Sequence, residues 1–408
     1  MAIFRKDIPA SKMNHQNFTF DKIFIITAKA MILNRSHPSI PRNWFWVFQF
    51  LVILTLSATT FLFLINSVLF YDIPARRYAE ASKNSTMAIV AFTVTIKYLF
   101  MLYFQKYMQD LIDVVDRDFK LALDFEEEEK EIVIMYAKKG SKASWYWLLA
   151  ASSTSSLFPL KALLKMGYSY WKGEFELIPM FDMRFPDRVD IVKEIPAVFA
   201  FYFVLCFMFS CYAGSMYIGF DPLVPIFLLH ICGQLNILSK QIMRTFTENN
   251  SVDEINEKLK HVNIKLQDLY WLIENIKSKF TVLFEYNMKT TTFLLPLALF
   301  QVVEDLKRSQ LNLEFISFFI ATILHFYMPC FYSDNLLDQS NYLREAIYSC
   351  GWEKHSDTRA RKTILLMMTR TTKPLVLSTV FYPICLDTFA EMCRQAYAIF
   401  NIMSAACA

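Results

Sequence analysis

The stretch WFWVFQFLVILTLSATTFLFLINSVLF, residues 44–70, decides the class of this chain. A hydrocarbon core takes about 20 apolar helical residues to cross, and this run is long enough. Lipid offers backbone groups no partner, so such a run closes its hydrogen bonds within its own helix. Further runs of spanning length lie near 87–105, 144–165, 195–232, 282–303, 313–334 and 375–406. Lys97 interrupts the first of these; Asp387, Glu391 and Arg394 interrupt the last. The expected fold is an all-α membrane protein with seven transmembrane helices.

Composition agrees. Of 408 residues, 55% are hydrophobic and 20% charged, against roughly 45–50% and a quarter in soluble domains. So much Phe and Tyr would leave sticky patches in water, a cost that a lipid-facing surface removes. The net charge of +4 gives no argument for a nucleic-acid partner. The amino-terminal 42 residues lack a compact apolar core with a small-residue cleavage site, so the first span is expected to direct insertion.

Lys and Arg accumulate on the cytosolic side. Arg5, Lys6, Lys12, Lys22, Lys29, Arg35 and Arg42 precede the first span. Lys106, Arg117, Lys120, Lys130, Lys138, Lys139 and Lys142 separate the second and third. The connections 233–281 and 335–374 are equally basic, whereas Arg76, Arg77 and Lys83, then Lys172, Arg184, Arg188 and Lys193, then Lys307 and Arg308 are the opposite loops' share. The expectation is an inverted topology, amino terminus cytosolic and carboxyl terminus extracellular, the reverse of a G-protein-coupled receptor. The chain then divides into a cytosolic segment (1–43), four spans (44–232), a cytosolic helical segment (233–281), two spans (282–334), a second cytosolic helical segment (335–374), and the last span with a short outer tail (375–408). A sequon at Asn84 falls in the first outer loop and is a glycosylation candidate; those at Asn17, Asn34 and Asn249 fall on the cytosolic side.

Within 235–280, Leu235, Leu238, Ile242 and Phe246, then Ile255, Leu259, Val262, Leu266, Leu269, Ile273, Ile276 and Phe280, recur at helical spacing. They predict amphipathic helices with one buried stripe, packing beneath the membrane. The acidic run Asp124 and Glu126–Glu129 reads as a solvated helix face.

Signatures of chemistry are missing from the sequence. No CxxC pair or Cys/His cluster predicts a metal, and no glycine-rich phosphate loop, HExxH or GxSxG predicts a cofactor or catalysis. His230 and His325 read as packed, hydrogen-bonded histidines. Lys97 reads as snorkelling toward the cytosol, with a polar pathway as the alternative.

In the last run, Asp387, Glu391, Gln395, Ala398, Ile402 and Ala405/Ala406 share one helical stripe. It fits either a packed helix or a pore wall. Phe92, Ile96, Ser153, Ser156, Leu157, Phe199, Tyr202, Phe203, Cys206, Phe318, Phe319 and Thr322 mix aromatic and small polar groups in the expected outer halves of spans. Such stripes fit core packing or an apolar pocket with a few hydrogen-bonding groups.

FDPLVPIFLLHICGQLNILSKQI (220–242), RKTILLMMTRTTKPLVLST (361–379) and FYPICLDTFAEMCRQAYAIFNIM (381–403) resemble the insect odorant receptor family, as do the length and topology. AYAIFNIM fits that branch better than the gustatory one, and the short 233–281 segment fits a ligand-tuning subunit better than the shared co-receptor. The resemblance implies a non-selective cation channel in the plasma membrane of olfactory dendrites, assembled as a heterotetramer with the co-receptor and surrounded by lipid. It implies a small hydrophobic volatile ligand in the outer bundle, where the twelve residues above were placed by depth. It also implies a pore lined by Glu391, Gln395, Ala398, Ile402 and Ala406, with Ile402 and then Ala406 at the gate. A metabotropic seven-helix chemoreceptor or a transporter would share the hydropathy.

Overall fold

The computed structural model describes residues 18–185, 190–191, 195–247, 250–309 and 312–407. Arg5, Lys6, Lys12, Arg188, Lys193 and the sequons at Asn17 and Asn249 lie outside these.

The described residues are mostly helical, with no strand among them beyond a bridge between Ser378 and Pro383. We number the helices α1 (Phe20–Ile23), α2 (Ile25–Leu33), α3 (Trp44–Asn66), α4 (Tyr78–Tyr103), α5 (Gln105–Leu121), α6 (Glu127–Trp171), α7 (Pro196–Phe220), α8 (Leu223–Thr247), α9 (Val252–Lys307), α10 (Leu313–Ser349), α11 (Thr358–Arg370) and α12 (Leu386–Cys407). Their starts follow from local chemistry. The Asn43 side chain accepts from the Trp46 amide to open α3, and Pro196 occupies the first turn of α7, where a missing N–H costs nothing. Ser251 and Glu254 form a reciprocal capping box on α9. Asp357 caps α11 by accepting from the Arg359 and Ala360 amides.

Four helical stretches are long and apolar enough to cross a bilayer: Trp44–Asp72, Tyr78–Tyr103, Pro196–Phe246 and Leu313–Lys354. The other three expected runs lie inside α6, α9 and α12. The 195–232 run is divided at Asp221–Pro222, and its last part opens α8. The 375–406 run becomes helical only at Leu386, because residues 375–385 turn back on themselves through the Ser378–Pro383 bridge, with the Leu375 and Leu377 amides donating to the Ser340 and Ser333 hydroxyls of α10.

Two apolar cores divide the molecule. One gathers α5, the first part of α6, α8, the first half of α9, the second half of α10 and α11. Every residue of the stripes expected in 235–280 is buried there. The other joins α3, α4, the second part of α6, α7, the second half of α9 and the start of α10. Trp44, Phe45, Phe48, Leu51 and Val52 of α3 remain exposed, as a lipid-facing side would be.

Two expectations need correction and a third gains detail. The acidic run is a solvated face, with Asp124, Glu126, Glu127 and Glu128 exposed, and it also makes contacts: Glu126 and Glu128 pair with Arg244, Glu128 also with Lys240, and the buried Glu129 accepts from Gln241, joining α6 to α8. The hydrogen bond from Lys240 and the charges of Lys240 and Arg244 hold the Glu128 carboxyl below its ordinary range. Asn84 is 2% exposed inside α4, and its Nδ2, the atom a glycan would need, donates to Asp72 Oδ2 at 2.8 Å, Asp182 O at 3.1 Å and Ser67 Oγ at 3.3 Å. The sequon therefore does not fit glycosylation in this fold, and Asn84 is a tie between three segments. Lys97 does not snorkel, for reasons given next.

Candidate functional site

The second core encloses a chamber. Helical spacing builds its walls: Met87 and Val90 from α4, Trp147, Ala151, Thr154, Ser155 and Phe158 from α6, and Phe209, Ser210, Ala213, Gly214 and Tyr217 from α7. Leu294 of α9 and Phe318, Ala321, Thr322 and His325 of α10 complete it, with Phe181 from the α6–α7 connection at one end. The cavity volume is about 80 Å³, below the roughly 300–1,000 Å³ of sites that enclose drug-sized ligands, so a guest must widen the chamber as it enters. Gly214 matters because a Cβ there would stand 2.4 Å from Ser155 Oγ and 3.2 Å from its Cβ, so any larger residue would force Ser155 to move where α7 meets α6.

Behind the end away from Phe181 lies a buried charge cluster. Lys97 is fully buried, and its Nζ donates to Asp221 Oδ1 at 2.6 Å and to His325 Nε2 at 2.8 Å. The same ammonium sits 4.2 Å from the centroid of the Tyr217 ring. Thr291 Oγ1 lies 3.1 Å from His325 Nδ1. Since an ammonium offers only protons, Nε2 is the acceptor and the neutral ring carries its proton on Nδ1, facing Thr291. The cluster ties α4, the α7–α8 turn, α9 and α10 together. A carboxylate and a histidine within reach are why Lys97 stays inside rather than extending to water. His325 is indeed packed and hydrogen-bonded.

Of the sequence-picked pocket residues, Phe318 and Thr322 line this chamber. Phe199, Tyr202, Phe203 and Cys206 line a second one, closed by residues 177 and 179–185 and by Arg77. Phe92, Ile96, Ser153, Ser156, Leu157 and Phe319 line neither. Phe92 stacks toward Phe61 and Tyr286; Ser153 pairs with Ser317 at 3.0 Å and Ser156 donates to Ser152 O at 2.7 Å. Those choices had the depth in common but not the helix face. Trp147, Ser155, Phe209, Tyr217 and His325 were missed, although 147–151–154–158 and 318–321–325 have the right spacing. A third space, lined by Lys83, Lys161 and Lys165, shares Met87, Phe158 and Phe181 with the chamber. Lys161 is paired there with Glu314.

On α12, Glu391, Gln395, Ala398, Ile402 and Ala406 lie along one exposed face, while Met392 and Ala396 are buried on the other side. Gln395 Nε2 donates to Glu391 Oε1 at 3.4 Å, and Arg394 pairs with Glu391 at 3.1 Å.

The fold is thus a helical bundle, with helices long and apolar enough to cross a membrane, around an apolar chamber. The model of the seven-transmembrane odorant receptor family matches residues 77–397, and the chain belongs to that family, one of receptors rather than enzymes. Drosophila melanogaster odorant receptor 22c is 22% identical over 297 residues, 68% of this chain and 70% of that protein. Odorant receptor 47a of the same fly is 22% identical over 78% of this chain and 83% of its own length. The olfactory receptor OR5 of Machilis hrabei, solved in complex with eugenol, superposes with a TM-score of 0.74 at 15% identity, covering 94% of this chain and 98% of that one. That likeness shows the fold.

Proposed function

We propose that this chain is the ligand-tuning subunit of an odorant-gated, non-selective cation channel assembled with the shared co-receptor. In this reading seven spans cross the plasma membrane of an olfactory dendrite with the amino terminus in the cytosol. The observation that carries it is the chamber: apolar, closed by α4, α6, α7, α9 and α10, and furnished with a few polar groups. A small hydrophobic volatile fits such a wall, and eugenol in the Machilis receptor is a molecule of that kind.

A ligand gates only by favouring one arrangement over another. The chamber touches α9, and α9 packs along α12. Filling the chamber displaces α9, and α12 follows. The stripe Glu391, Gln395, Ala398, Ile402, Ala406 supports a pore-facing role, because it is uncovered in the single chain. Withdrawing Ile402 hydrates a dewetted constriction, and permeating cations pass.

Odorant-evoked current recorded with and without the co-receptor, in cells with G-protein signalling blocked, tests this. Current that needs the co-receptor and survives the block is the expected result. Current abolished by the block would instead mark a metabotropic receptor.

A further inference from the structure

We propose that the inner end of the chamber is a hydrogen-bond-donating subsite, formed by Trp147 and Tyr217, that selects neutral volatiles carrying an acceptor oxygen. The inference rests on the chamber being the odorant site and adds the chemical class of the odorant.

The argument is an account of protons. Thr322 Oγ1 donates to Phe318 O at 2.8 Å, Thr154 Oγ1 to Ala150 O at 2.8 Å, and Ser210 Oγ to Ser155 O at 3.0 Å. Those three hydroxyls give their protons to carbonyls, and the Ser155 hydroxyl, packed against Gly214, is the remaining small donor in the wall. Both His325 nitrogens are engaged, one by Lys97 and one by Thr291. Trp147 is different. It is 3% exposed, and its Nε1–H has no acceptor among the described residues. Native proteins leave few buried donors unmatched, and a buried indole N–H ordinarily finds a partner. A ligand in the chamber is the acceptor within reach.

Tyr217 stands beside it. The two rings are stacked with centroids 6.1 Å apart and 13° between planes, and both are edge-on to His325. The Tyr217 hydroxyl has no hydrogen bond to a described residue. Lys97 lies over the face of its ring, 4.2 Å from the centroid, and holds the ring in place by attraction to its π face. Asp221 neutralises that cation from behind. The chamber thus offers protons without net charge, and no Lys or Arg lines it. An alcohol, ketone or ester oxygen is matched; an alkane leaves the donors dry; a carboxylate finds no counter-charge.

The test is a chain-length-matched panel of heptane, 2-heptanone, 1-heptanol and heptanoate applied to the channel formed with the co-receptor. The ketone and alcohol are expected to act at concentrations at least tenfold below the alkane and the acid. Tyr217→Phe, which removes only the hydroxyl, and Trp147→Phe should each narrow that gap by about tenfold. Equal potency across the panel, silence toward all four compounds, or variants that shift every compound equally would overturn the proposal. Ala321→Trp, which fills the chamber, should abolish every response. If responses persist in that variant, the chamber is not the odorant site at all, a failure distinct from loss of discrimination.

Discussion

Lys97 is the residue whose position departs most from its habits. A lysine in the middle of an apolar helix normally extends to an interface, yet here its side chain is wholly enclosed and meets Asp221 from another helix end. Removing one member of a buried ion pair strands the other charge and costs about 3–5 kcal/mol, whereas replacing both with apolar groups is often nearly neutral. Lys97→Met and Asp221→Leu alone are therefore expected to reduce folded, surface-delivered receptor sharply, and the double substitution to restore most of it. Surface biotinylation reads this out. A double variant no better than the worse single one would mean that the pair is not an energetic unit. His325 and Thr291 extend the same unit to α9 and α10, so the singles should also broaden the melting transition.

At the scale of elements, periodicity made much of the fold legible and contact between faces made the rest opaque. Leu235, Ile242, Leu259, Leu266 and Ile273 announce their buried stripes because one face of one helix is enough to show them. The chamber needs three faces at once: Trp147, Tyr217 and His325 are remote in sequence, and only the packing of α6, α7 and α10 brings them to one corner. Depth alone recovered Phe318 and Thr322 and scattered the others. The division at Asp221 was hidden by uninterrupted hydropathy on both sides. The α5–α8 contact offers a test by acidity. Burial pushes the Asp118 carboxyl up, but the hydrogen bond and charge of His230, with Lys265 and Arg117, more than offset this and hold it below its ordinary range. A depressed carboxyl contributes stability fully above its unfolded value, about 3.9, and loses it as pH falls through the folded value. Asp118→Asn should thus cost about 1–3 kcal/mol at neutral pH, and its gap in melting temperature from the parent protein should shrink as pH falls below the unfolded value of about 3.9 and through the lower folded one. A gap that widens on acidification would contradict this.

For the whole molecule, the two cores divide labour. One is polar-rimmed and helical on every side, with Glu126, Glu128 and Glu129 clasping α8; the other holds the chamber. α12 packs through Met392 and Ala396 and leaves its opposite face bare. If that face lines a pore closed by Ile402, which is 70% exposed in the single chain, then Ile402→Ser should raise current without odorant severalfold or alter ion selectivity. Unchanged unliganded current and selectivity in an expressed channel would remove Ile402 from the gate.

One feature joins both halves. α9 is a single helix of 56 residues, roughly 84 Å at 1.5 Å per residue. It holds Leu294 in the chamber wall, Thr291 against His325, and a long flank against α12. A helix this well bonded does not buckle at an arbitrary place. It gives where Pro296 leaves the carbonyl of Thr292 without its usual partner. That soft point lies two residues from Leu294, so in the proposed reading a guest molecule would press almost at the fulcrum, and a small tilt there would become a sideways sweep farther along the rod.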